Sequence, residues 1–249
     1  MRFLPTFKYR LRDCMWSMLV IVIVMIALTL LTQFGVTTFG AYTTTEDGYT
    51  ETTSTMNFTM PYVIFMLVLG IVTVREDMRI GIQNGASRRT SFLANISCMA
   101  VTSLCLSLTT IIFYTVWNTL DTGVVLIDFY SMMYLGNFSP STVETMLMSA
   151  VMTFVFSMAF AAIGCFMSLM YWRLNKIGKW VVSIGMGAAV ILLINAGAAF
   201  YSVGEIVARF ARFIVETPWN LNGFFVVLAV AFYIFSMLLV RRNNITAAV

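Results

Sequence analysis

Arg75-Glu-Asp-Met-Arg-Ile-Gly-Ile-Gln-Asn-Gly-Ala-Ser-Arg-Arg-Thr90 is an island of charge and turn chemistry between two long apolar runs. Arg75 to Gln83 has the composition of a short helix. Asn84-Gly85 is a helix stop, because both residues tolerate the left-handed C-cap conformation. Ser87 then suits the N-cap of the next helix, where its hydroxyl can accept from an otherwise free N–H. Arg88 and Arg89 fall in that helix's first turn, where the helix dipole disfavours cations. Their placement answers to the membrane instead, whose cytoplasmic flank collects Lys and Arg. The stretch therefore reads as a cytoplasmic loop between two spans, and it sets the sidedness of everything around it.

Composition points the same way. Of 249 residues, 60% are hydrophobic and 10% charged, whereas about a quarter of the residues of a soluble domain are charged. With a mean hydropathy of +0.89, the chain reads as an all-α integral membrane protein. Cys14, Cys98, Cys105 and Cys165 all lie in or beside apolar runs, which argues against a disulfide framework. No histidine occurs, so His-based zinc sites, Ser-His hydrolysis and His proton relays are excluded together.

Working outward from the loop, the residues before it form span two, about 58–74, with Pro61 in its first turn where a missing N–H is harmless. Thr37 to Thr59 is an external segment rich in Thr, flexible or weakly strand-like, with Gly48 as its turn signal. Span one occupies 16–36, uncharged and long enough for a hydrocarbon core that takes ~20 helical residues. Residues 1 to 15 put Phe3, Leu4, Phe7, Leu11, Cys14 and Met15 on one helical face, Arg2, Tyr9, Arg12 and Asp13 opposite, and Lys8 and Arg10 at the flanks. This is the pattern of an N-terminal helix lying in the membrane interface; a basic flank without fixed structure is the alternative.

After the loop, span three covers 91–117 and ends at Trp117, an interfacial residue. Asp121 to Glu144 is a second external segment. Span four, 145–171, carries Ala161, Gly164 and Ser168, small residues that permit close helix packing. Arg173, Lys176 and Lys179 make a short cytoplasmic turn before span five, 180–201, which holds Ser183, Gly187, Asn195 and Gly197. Glu205, Arg209, Arg212 and Glu216 then follow helical spacing as i,i+4 pairs, with Ile206, Phe210, Phe213 and Ile214 on another face. That pattern is an amphipathic helix on the outer surface, ended by Pro218, ahead of span six at 221–240.

Counting charge by side tests the scheme. Thirteen of the fifteen Lys and Arg fall on the side of the central loop; only Arg209 and Arg212 lie opposite, each spaced to pair with a Glu. Six spans in a cell membrane with both termini cytoplasmic follow from that asymmetry.

A charged loop between spans two and three, with a short helix followed by Asn-Gly-x-Ser-Arg-Arg, resembles the cytoplasmic loop of small six-span permeases of ABC-2 type exporters. The likeness rests on about twenty residues and the topology. It implies a single permease domain over 1–249, an N-terminal elbow helix, and a coupling helix made by Arg75, Glu76, Asp77, Met78, Arg79, Ile80 and Ile82, with Gly85 shaping the turn. The helix before the last span would correspond to a re-entrant element near the outer exit. Implied partners are two copies of a separate ATPase subunit, a second permease copy or a homologous permease, and lipid, with no nucleic acid. ATP and Mg would sit on the ATPase, with no cofactor in this chain. The translocation path would run between spans two and five, lined by Phe65, Met66, Asn195 and Phe200.

The residues themselves constrain the energetics. No Asp, Glu, Lys or Arg occupies an apolar centre, which disfavours a proton- or ion-coupled carrier, and no G-x-x-x-x-G-K-[ST] motif is present to bind ATP. Energy for uphill transport would have to enter from a partner at the cytoplasmic face. The competing reading is a non-energised membrane binding, immunity or assembly protein. A membrane enzyme finds neither a nucleophile–base pair nor a metal cluster here. An amphipathic peptide, a lipid or a hydrophobic compound would each suit an apolar, Met-rich set of spans as cargo.

Overall fold

The computed structural model describes residues 3–34, 41–46, 49–83, 85–120, 124–135, 141–175, 177–178, 180–182, 209 and 212–242. Its long helices are α1 (Phe3–Gln33), α2 (Thr59–Gln83), α3 (Arg88–Leu120), α5 (Val143–Arg173) and α6 (Pro218–Arg242). A short α4 (Phe129–Tyr134) and three strands, β1 (Ala41–Glu46), β2 (Tyr49–Asn57) and β3 (Val124–Ile127), lie between them. Among the described residues four segments are long and apolar enough to cross a membrane: Leu4–Gln33, Arg88–Trp117, Val143–Arg173 and Pro218–Val240.

Two expectations about element boundaries are corrected. The N-terminal helix is not separate from the first span, since α1 runs through Trp16 unbroken for 31 residues. Its one proline, Pro5, sits in the first turn, where it breaks no internal hydrogen bond. The short helix Arg75–Gln83 is likewise the end of α2. Tyr62, Met66, Gly70, Val74 and Met78, four residues apart, are all buried. This packed stripe continues past the last apolar run and carries the helix with it. The helical residues 212–216 end ahead of Pro218, as expected, and Pro218 also opens α6, consistent with its preference for a first helical turn.

The chain is mostly helical but not all-α. Thr-rich β1 and β2 pair antiparallel from Ala41↔Ser54 to Glu46↔Tyr49, and Gly48, the expected turn signal, lies outside the described residues. β3 joins β2 in parallel, Ser54↔Val124 to Asn57↔Ile127. Both expected external segments thus meet in one sheet at one end of the bundle, the sheet end. Repeated Thr and the run Val-Val-Leu-Ile are β-branched or bulky residues that favour extended backbone. The Asn57 side chain then accepts from Met60 N–H at 3.1 Å, capping α2 as the strand leads into the helix.

Helix α5 is the hub, packed against α2, α3 and α6, while α1 leans mainly on α3. Ala161 and Gly164, expected to allow close packing, are where it touches α2. A Cβ added to Gly70 would lie 2.5 Å from the Ala161 carbonyl oxygen, so the two backbones cross with no side chain between them. Without a hydrophobic drive between helices in lipid, such intimate contact is what holds them together. Polar groups in α3 are mostly satisfied locally, as Thr102 donates to Cys98 O at 2.9 Å, and Ser103 reaches across to Phe154 O of α5 at 2.9 Å. At the far end from the sheet, Val74, Met78, Leu169 and Val240 share one buried cluster; this is the turn end.

Candidate functional site

The turn end is built by a reversal between α2 and α3. Gly85 adopts φ 73°. Its N–H donates to Ile82 O at 3.0 Å, and Ala86 N–H donates to Gly81 O at 2.8 Å. These are the paired bonds of a Schellman stop, which satisfies the last carbonyls of the helix. Ser87 caps α3 as expected, its Oγ accepting from Thr90 N–H at 3.2 Å and lying 2.7 Å from Thr90 Oγ1. Gly81 is needed for a second reason: a Cβ there would strike the Ser91 side chain. The stop and the cap therefore clamp α2 and α3 together within a few residues.

Arg75, Glu76, Asp77, Met78, Arg79, Ile80 and Ile82 all lie on the last turns of α2. Glu76, Arg79 and Ile80 are exposed, and Ile82 is half-buried. Met78 is 1% exposed and packs into the cluster with Phe92, Cys165 and Leu169. As a docking residue for another subunit it is corrected: the i,i+4 stripe turns it into the chain's own core, while Glu76, Arg79 and Ile80 face outward.

Next to this helix end a cleft of about 590 Å³ opens between α2 and α5. Among the described residues Glu76 is its one carboxylate, and no described Lys or Arg lines it. Ile71, Val72 and Met167 supply apolar wall, Ser168 a hydroxyl, and Tyr171 and Trp172 two aromatic side chains. Sequence reading had singled out Glu76 and Ser168 separately. That they face one space follows from the α2–α5 crossing, which no local signal reveals.

Of the expected translocation residues, Phe65 is half-buried and packs against the cluster around Met66, itself fully buried there with Tyr62, Met99 and Tyr114. Within one chain Met66 is thus corrected from a lining residue to a core residue. The outward stripe of α2 is instead Met60, Ile64, Val68 and Val72, exposed at successive four-residue steps and continued by Glu76. Asn195 and Phe200 lie outside the described residues, as does Glu205. Arg209, Arg212 and Glu216 are exposed; of the expected apolar face, Ile214 packs toward Val63, Met152 and Leu221, Phe213 is exposed, and Ile206 and Phe210 lie outside the described residues. Tyr134 Oη donates to Val215 O at 2.9 Å, tying that turn to α4.

Two buried polar positions were not anticipated. Arg10, expected at the flank of an interfacial helix, is 3% exposed and donates through Nη2 to Thr73 O of α2 at 3.2 Å. The continuous α1 aims it inward at a neighbouring helix. At the sheet end Asp128 is 1% exposed. It accepts from Ser131 N–H at 2.6 Å as the N-cap of α4 and from the Ser149 hydroxyl of α5, with Tyr114 of α3 beside it. Burial raises its carboxyl above the ordinary value, against the lowering effect of the Ser131 bonds. The sequence cue was Asp128 itself, since Asp is a preferred N-cap residue whose carboxylate accepts from a backbone N–H of the first turn. Among the described residues no group of three His, Cys, Asp or Glu could hold a metal ion. No family model, no curated protein and no solved structure matches the chain.

Proposed function

We propose that this chain is the membrane-spanning permease subunit of an ATP-driven exporter of the ABC-2 type, working as a dimer with two ATPase subunits. In this reading α1, α2, α3, α5, the stretch 180–201 and α6 are six spans, and the turn end is cytoplasmic because the basic residues gather there. The cargo is an amphipathic peptide, a lipid or a hydrophobic compound.

The observation that supports it is the unbroken passage of α2 from the Gly70–Gly164 crossing to exposed Glu76, Arg79 and Ile80. An α-helix rises ~1.5 Å per residue and resists bending where nothing interrupts its hydrogen bonds. A load applied by a docked ATPase at Arg79 would therefore reach the α2–α5 contact without an intervening hinge. The clamp at Gly85 and Ser87 would carry the same load into α3. A coupling helix must act by binding differently in two states, and a rigid lever attached to a close helix crossing is suited to that task.

The test is purification of the tagged chain from its own membranes, with identification of what accompanies it. A stoichiometric ATPase that is lost from Glu76→Ala, Asp77→Ala, Arg79→Ala, while membrane levels hold, is the expected result. Undiminished transport and ATPase association by that variant would remove the coupling role. A chain that works with no ATPase at all would favour the non-energised binding or immunity reading.

A further inference from the structure

We infer that the cleft between α2 and α5 at the turn end binds a small amphipathic organic cation, an alkylammonium compound without a phosphate. Three observations converge on that class. Among the described residues Glu76 is the one carboxylate that lines it, and no described cationic side chain does. Tyr171 and Trp172 line the same cleft, and aromatic rings attract ammonium groups through the ring quadrupole, Trp most strongly. Ile71, Val72 and Met167 continue the wall as hydrocarbon, matching an alkyl chain.

The cleft's size, about 590 Å³, is that of a small-molecule site, commonly ~300–1,000 Å³. Its placement orders the ligand as well. Val72 belongs to the apolar run of α2 and Glu76 to the charged turn that follows, one helical turn on, so the ammonium sits at the charged end and the alkyl chain runs along α2 toward its apolar run. A phospholipid bearing choline shares the ammonium but brings a phosphate, for which the described lining offers no positive partner. A free organic cation is the ligand that matches the charge of the described lining.

The site does not depend on an ATPase, so it is tested on the purified chain in dodecyl maltoside by titration calorimetry, with protein-free micelles as reference. The probe is octyltrimethylammonium, with octyl sulfate and dihexanoyl phosphatidylcholine as comparison ligands. The expected result is one saturable site for the ammonium, and weak binding of the other two. Glu76→Gln should bind about tenfold more weakly, as loss of one charged contact implies. Trp172→Phe, which keeps the packing but weakens the ring, should show a smaller loss. The exposed position of Glu76 allows unchanged unfolding midpoints to confirm that Glu76→Gln is folded. Equal affinity of wild type and Glu76→Gln, or equal binding of octyl sulfate, overturns the site. Phosphatidylcholine binding as tightly as the ammonium overturns the assignment to a phosphate-free ligand.

Discussion

Gly70 of α2 and Gly164 of α5 meet backbone to backbone. A Cβ on Gly70 would stand 2.5 Å from Ala161 O and 3.1 Å from Cys165 N, and one on Gly164 would run into Leu67 O. The obstructing atoms are main chain and cannot swing aside. Gly164→Val should therefore separate the helices and destabilise the protein by about 1–3 kcal/mol or more, the usual range for overpacking. Gly223, at the start of α6, has nothing within 4 Å of an added Cβ. Gly223→Ala should be neutral or stabilising, by up to about 1 kcal/mol from helix propensity. Thermal unfolding in maltoside micelles distinguishes the two, and equal stability of Gly164→Val and wild type would refute the close crossing.

The α2–α3 reversal makes a local prediction. Gly85→Ala places a Cβ on a residue at φ 73°, a conformation that disfavours L side chains by about 1–2 kcal/mol. Ser87→Ala removes the acceptor for Thr90 N–H and should lose about 1 kcal/mol. Hydrogen exchange read by mass spectrometry should quicken in the peptide spanning 85–91 for either variant, with the sheet end unaffected. Unchanged exchange in that peptide would mean that neither residue holds the turn.

Asp128 makes stability at the sheet end depend on pH. Its carboxyl is raised from 3.8 by burial, and among the described residues the neutral groups Ser131, Ser149 and Tyr114 face it. A raised native value means that the folded state favours the protonated acid. This contribution is full below the unfolded value near 3.8 and is lost as pH rises through the native one. The difference in unfolding midpoint between wild type and Asp128→Asn should thus shift in favour of the variant as pH rises above 3.8 and through the raised native value. Asp128→Ala, which leaves Ser131 N–H without its acceptor, should be less stable than Asp128→Asn throughout. A pH-independent difference between wild type and Asp128→Asn would contradict the assignment.

Sidedness is open to chemical labelling. With the native cysteines replaced, single cysteines at the exposed positions Met133 and Glu144 should react with an impermeant thiol reagent on intact cells. Cysteines at exposed Gln83 and Arg89 should react only after permeabilisation. Labelling of Gln83 from outside would invert the proposed orientation.

What the sequence determined by itself was local and compositional. The apolar runs that became α3, α5 and α6 were legible because a membrane span is long and uninterrupted. The stop at Gly85 and the cap at Ser87 were legible because left-handed backbone and a free helix N–H each demand particular side chains. The glycine and alanine of span four announced close packing, but not the partner, Gly70. Tertiary structure decided the rest. It joined Arg75–Gln83 to α2, because Val74 and Met78 find buried contacts on other helices and a helix persists where its stripe is packed. It gathered two Thr- and Val-rich segments into one sheet, since strands are completed by neighbours remote in sequence. It turned Met66, Met78 and Arg10 inward, and it brought Glu76 to face Tyr171 and Trp172 across a cleft. Such encounters depend on how two helices cross, and a crossing is a property of the pair that neither segment's own sequence contains.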